Sequence, residues 1–211
     1  MVPFLMVLVL RFRLNYNMKN KLFIAFLFVF GFTAFSQDKA VKTIFENPFH
    51  WQTEIIDFPI DWAPDLHFKG FEELLFAPNW SNPKHEEFWS LVIGYAVEAE
   101  NLLEISTIEK NFEAYFDGLM KPNHWSENFP KPKVKFEKTQ PNSNLSFKGN
   151  MQVFGGFHIG KVINLTIKGE QYFCHQLKKS IIKFYISPKD ETHKIWETLN
   201  KINLKDNFCP E

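Results

Sequence analysis

Apolar and polar residues alternate with a period of two through four successive stretches of the C-terminal half of this chain. "KVKFEK" begins at Lys133, "LSFKGNMQV" repeats the alternation through Leu145, Phe147, Met151 and Val153, and "KVINLTIKG" and "IIKFYIS" follow. That period belongs to half-buried strands. The connections between them, carrying Gly155-Gly156 or Lys178-Lys179, are short enough for hairpins. An antiparallel meander is therefore expected.

Upstream the pattern changes. Phe88, Leu91, Val92, Tyr95, Ala96, Ala99 and Leu103 recur at three- and four-residue spacing, as on the buried face of a helix. Asn82-Pro83 supplies a cap and a first-turn proline for it. A second helix is predicted from the capping box Ser106 to Glu109 and from Ile108, Phe112, Tyr115, Phe116 and Leu119. The two together would form a helix hairpin. "FEELLF" reads as a strand before the pair, and "TEIIDFPI" as an edge strand, because Pro59 is tolerated only at an edge or an end. A last helix is expected from near Asp190, carrying Ile195, Trp196, Leu199 and Ile202. The plan is α+β: an antiparallel meander sheet with a helix hairpin and a C-terminal helix packed on one face.

The N-terminus carries a different signal. Met18-Lys19-Asn20-Lys21 runs directly into "LFIAFLFVFGFTAF" and then Ser36-Gln37, the basic, apolar and small-residue parts of a signal peptide. Cleavage is expected after Ser36, leaving residues 37–211 as a single domain. Met18 is the expected true start, with residues 1–17 an over-long beginning. The apolar run, about 14 residues, is short of the roughly 20 needed to span a bilayer, so no membrane span is expected after cleavage.

Removing the leader changes the charge. The chain has 24 Lys+Arg and 24 Asp+Glu, but the leader takes Arg11, Arg13, Lys19 and Lys21 and no acid. The remainder therefore carries an excess of acids, which argues against nucleic acid as a partner. The chain has two cysteines, Cys174 and Cys209. A single pair in an oxidising compartment most simply forms one disulfide.

No complete catalytic motif is present. "HEEFW" at His85 lacks the second histidine of a zinc-protease helix, because Trp89 stands in its place. Cys174-His175 would point to opposite faces of a strand and cannot pair directly. Asp57, Asp61 and Asp65 are separated by prolines and lack a calcium-loop pattern. No metal site and no cofactor is expected. What remains is "FGGFHIG", which places His158 near the tip of a glycine-rich turn, and His124 in a proline-rich connection. Either histidine could work with Glu72 or Glu73 as an acid–base pair, although strand alternation lets at most one of the two glutamates face a site. Aromatics are the unusual feature, with 25 Phe and six Trp. Trp51, Trp62, Trp80 and Trp125 lie in proline-rich connections, where amphipathic rings suit a ligand groove.

"LLFAPNW" followed by "EEFWS", with "FYISPKDETHKIWETL" near the end, resembles a group of exported bacterial proteins of unknown function. The phenylalanine-rich leader ending in Ser-Gln is similar to those of Gram-negative bacteria. The resemblance implies a periplasmic or secreted protein and carries no substrate, cofactor or catalytic residue. The expected function is binding of a small apolar ligand or a cell-envelope partner between helices and sheet. The alternatives are a hydrolase using a His/Glu pair and a structural envelope protein.

Overall fold

The computed structural model describes residues 42–121, 129–140 and 145–209. The leader, His124 and Trp125 lie outside them. The described residues form β1 (Gln52–Phe58), β2 (Gly70–Phe76), β3 (Leu91–Glu98), α1 (Ile105–Met120), β4 (Lys133–Lys138), β5 (Ser146–Phe154), β6 (Val162–Cys174), β7 (Lys179–Ser187) and α2 (Ile195–Leu199). All seven strands join one antiparallel sheet in the order β1-β2-β3-β7-β6-β5-β4. The α+β class holds, and so does the β4–β7 meander. β1 is an edge strand, with Pro59 directly after its last residue.

The helix hairpin does not form. The expected first helix is the strand β3, "LVIGYAVE", paired with β2 on one side and β7 on the other. Its residues are buried on both faces down to Val97, so the apolar run is continuous and mimics helical spacing; the β-branched Val92, Ile93 and Val97 favour the strand. Asn82 starts a turn, its side-chain oxygen accepting from the Lys84 N–H (3.1 Å). α1 begins at Ile105 with Glu104 as N-cap and without a side-chain cap bond, so Ser106 lies inside the helix. Glu109, the acid of the expected capping box, reaches the edge strand β4 instead: its Oε1 accepts from the Phe136 N–H at 2.6 Å, and Glu113 Oε1 accepts from the Val134 N–H at 2.8 Å.

The helices do not share a face. Sheet residues Leu74, Phe76, Ile93, Tyr95, Ile182 and Phe184 pack with α1 residues Ile108, Phe112, Tyr115 and Phe116. The alternate residues Phe71, Leu75, Val92, Ala96, Ile181 and Tyr185 pack with Ile195, Trp196 and Leu199 of α2. The sheet is thus covered on both sides. Residues 42–46 complete the second layer: Phe45 bridges to Leu204, and Gly94 leaves room for the Phe45 ring, which a Cβ would approach to 2.5 Å. α2 is shorter than expected, with Asp190 serving a preceding turn and its carbonyl accepting from Trp196 Nε1 at 2.7 Å. Cys174 and Cys209 form the expected disulfide, tying the tail to the end of β6. Among the described residues no helix is long and apolar enough to cross a membrane.

Candidate functional site

A pocket of about 330 Å³ opens on the α1 side of the sheet, at the lower end of the range typical of small-molecule sites. Its floor is the sheet face that alternation turns toward α1: Glu54 and Ile56 from β1, Leu74 and Phe76 from β2, Leu91 and Ile93 from β3. Tyr115, Phe116 and Leu119 of α1 make one wall. Three loops complete it with aromatic rings, and each loop is held by identifiable contacts.

Trp62 comes from the β1–β2 connection. Asn111, buried on α1, accepts from the His67 N–H (2.8 Å) and donates to the Thr107 carbonyl (2.9 Å), anchoring that connection to the helix. Gly118 permits the close approach: a Cβ there would lie 2.4 Å from the Trp62 carbonyl oxygen. Trp62 then meets Tyr115 edge to face, at 5.3 Å between ring centroids.

Trp80 and Trp89 come from the chain of turns at 77–90. Glu87 Oε2 accepts from both the backbone N–H and the side-chain amide of Asn79 (3.0 and 2.8 Å), and the Trp89 N–H donates to the Trp80 carbonyl (2.8 Å). These bonds close the loop with Trp89 at φ 53°, a left-handed conformation that costs a bulky residue energy and persists only where its surroundings impose it. The Trp89 indole N–H is buried and unpartnered.

Phe157 and His158 come from the glycine-rich turn between β5 and β6. His158 packs edge-on to Trp80 at 5.1 Å, and its Nε2 is buried without a hydrogen bond. Burial pushes its pKa down, favouring the neutral ring. Phe157 is 40% exposed, placing this edge of the pocket at the surface.

The two glutamates point to opposite faces, as strand alternation requires. Glu73 turns toward residues 42–46, where its carboxylate accepts from the Ile44 and Phe45 N–H groups; it anchors the second layer and takes no part in the pocket. Glu72 turns toward α1. It is fully buried and paired in register with Tyr95 and Ile56, and the Tyr115 hydroxyl is the one group that approaches it as a hydrogen-bond partner among the described residues, without the geometry of a full bond. Burial pushes its pKa well above the ordinary glutamate range; hydrogen bonding from the Tyr115 hydroxyl opposes this and the Glu54 charge reinforces it. The Tyr95 hydroxyl beside it is also unpartnered. A buried polar group without a partner is uncommon and costs stability. Glu72, Tyr95 and Tyr115 therefore make an under-satisfied polar cluster against the pocket wall.

Of the residues singled out in the sequence, the structure brings Trp62, Trp80 and His158 together at one pocket, with Glu72 close behind Tyr115. Trp51 packs on the opposite face of the sheet with the second core. No hydrogen bond or ion pair among the described residues joins His158 to either glutamate. The sequence pattern does not single out Trp89 or Tyr115: Tyr115 falls on the buried face of a predicted helix and Trp89 within the other, and the proline-rich turn just before Trp89 is the available signal. The disulfide occupies both cysteine sulfurs, leaving no thiol for nucleophilic chemistry in the described chain. Comparison with known protein families, curated proteins and solved structures finds no match to this chain.

Proposed function

We propose that this is an exported binding protein that takes a small, largely apolar ligand in the pocket between α1 and the β1–β3 part of the sheet. The observation that carries the reading is the convergence of Trp62, Trp80 and Trp89, from two separate loops, on one pocket of about 330 Å³ that reaches the surface. Core packing alone gives no reason to place three indoles around a space. The leader pattern and the Cys174–Cys209 disulfide support export.

Native mass spectrometry of the protein purified from its own host, repeated after denaturation, tests this. Extra mass that disappears on denaturation, and that is missing from the Trp80→Ala protein, is the expected result. Wild-type protein that is always empty, and whose tryptophan emission no apolar probe alters, would point instead to a structural envelope protein.

A further inference from the structure

The chemistry of the pocket wall narrows the class of ligand, on the premise that the pocket is a ligand site. Its rings are electron-rich: the indoles of Trp62, Trp80 and Trp89, the phenol of Tyr115, and the phenyl rings of Phe76 and Phe116. Aromatic faces carry negative quadrupole potential and attract cations. Among the described residues, the one formally charged side chain on the lining is Glu54, and no lysine or arginine lines the pocket. A second carboxyl, Glu72, lies fully buried behind the lining, beside Ile56 of the floor, with the Tyr115 hydroxyl of the wall as its nearest hydrogen-bond partner and no full bond to either oxygen.

These features select among ligands. An anion would meet one carboxylate at the lining, a second acid behind it and no counter-charge. A bare metal ion would find too few ligands, because no group of three or more His, Cys, Asp or Glu among the described residues is arranged to hold one. A neutral hydrocarbon would fit the rings but leave the carboxyls unexplained. A cation whose charge is spread over methyl groups satisfies both: the methyls bury apolar surface while the charge faces the rings and acids.

We propose that the pocket binds a small alkylated ammonium cation, its methylated head caged by Trp62, Trp80 and Tyr115 and its charge balanced by Glu54 and Glu72. Glu72 gives the site a proton linkage. Among the described residues the titratable groups facing it are Glu54 from β1, Tyr95 from β3 and Tyr115 from α1, and none of these is a cation. A bound ammonium supplies the missing positive charge, so Glu72 releases its proton to solvent as the ligand arrives. Binding therefore strengthens as pH rises.

The test titrates the purified protein with choline and with its uncharged carbon isostere, 3,3-dimethylbutan-1-ol, by calorimetry and tryptophan fluorescence. Choline is expected to bind about tenfold or more tightly than the isostere. Glu54→Gln should weaken choline by about three- to tenfold and leave the isostere within about twofold. Choline affinity should rise from pH 5 to pH 8 in the wild type, and Glu72→Gln should flatten that rise. Equal or tighter binding of the isostere would overturn the cation assignment while leaving a ligand pocket in place. Binding of neither compound would overturn it as well. An apolar dye whose signal depends on Trp80 then shows whether the pocket still binds ligands; a dye that is indifferent to Trp80→Ala would sink the broader reading too.

Discussion

Glu72 sits where a strand's alternation turns it into an aromatic core, and its ionisation sets the clearest residue-scale prediction. Its folded pKa is raised by burial, whereas in the unfolded chain it titrates near the ordinary value of about 4.3. Between those two values the native state holds a proton that the unfolded state has lost. Stability from this site is therefore fully present below the unfolded pKa and falls as pH rises toward the folded one. Replacing the acid by its amide removes the effect, so Glu72→Gln should become more stable than wild type as pH rises. The gap should widen by about 1.4 kcal/mol per pH unit within that window. Urea denaturation of both proteins at pH 5 and pH 7 measures it; parallel curves at the two pH values would contradict the account. Gly118 makes the second prediction at this scale. A methyl group there would press on the Trp62 backbone, so Gly118→Ala should destabilise by about 1–3 kcal/mol and loosen the Trp62 wall, lowering affinity for any pocket ligand. Neither effect can be read along the chain, because Glu72 and Tyr95 are far apart in sequence and meet only through strand register.

At the scale of elements, the β4 edge shows how the fold manages an open strand. Val134 and Phe136 would present bare N–H groups at the sheet edge, but Glu113 and Glu109, one turn apart on α1, accept from both. Covering an edge in this way blocks strand addition by another molecule. The double variant Glu109→Ala/Glu113→Ala should lose about 2–4 kcal/mol, from two charge-assisted bonds, and should self-associate in light scattering at concentrations where the wild type does not. In the meander, β4, β5 and the first part of β6 were legible because they keep one face toward solvent and so retain a period of two, whereas β7, buried on both faces, was legible as a short apolar run following a turn. β3 was not legible, since a strand buried on both faces has no alternation to reveal it. The same cause hides part of the pocket floor: the helical spacing predicted around Leu91 takes Ile93 with it, and places Trp89 within a helix rather than at the mouth of a site.

For the whole molecule, the disulfide joins cysteines 35 residues apart and holds the C-terminal segment that covers the second sheet face. Closing a loop of that length stabilises by about 3–4 kcal/mol on the chain-entropy account. Cys174→Ser/Cys209→Ser should lose about that much stability, and limited proteolysis should then cut first near residues 200–209 while α1 and the sheet face it covers stay protected. Cleavage starting in α1 would count against this division into layers. Composition and local pattern were enough to establish an α+β class, an antiparallel meander, an edge strand ended by proline, the α1 helix and the cysteine pair, because each rests on periodicity, backbone chemistry or parity, which are properties of short stretches. The sheet order, the placement of the two helices on opposite faces, the choice of Glu72 over Glu73 and the meeting of Trp62, Trp80, Trp89 and His158 depended on the folded chain. Each is a contact between residues distant in sequence, settled by which faces must be buried together and by the register that burial enforces.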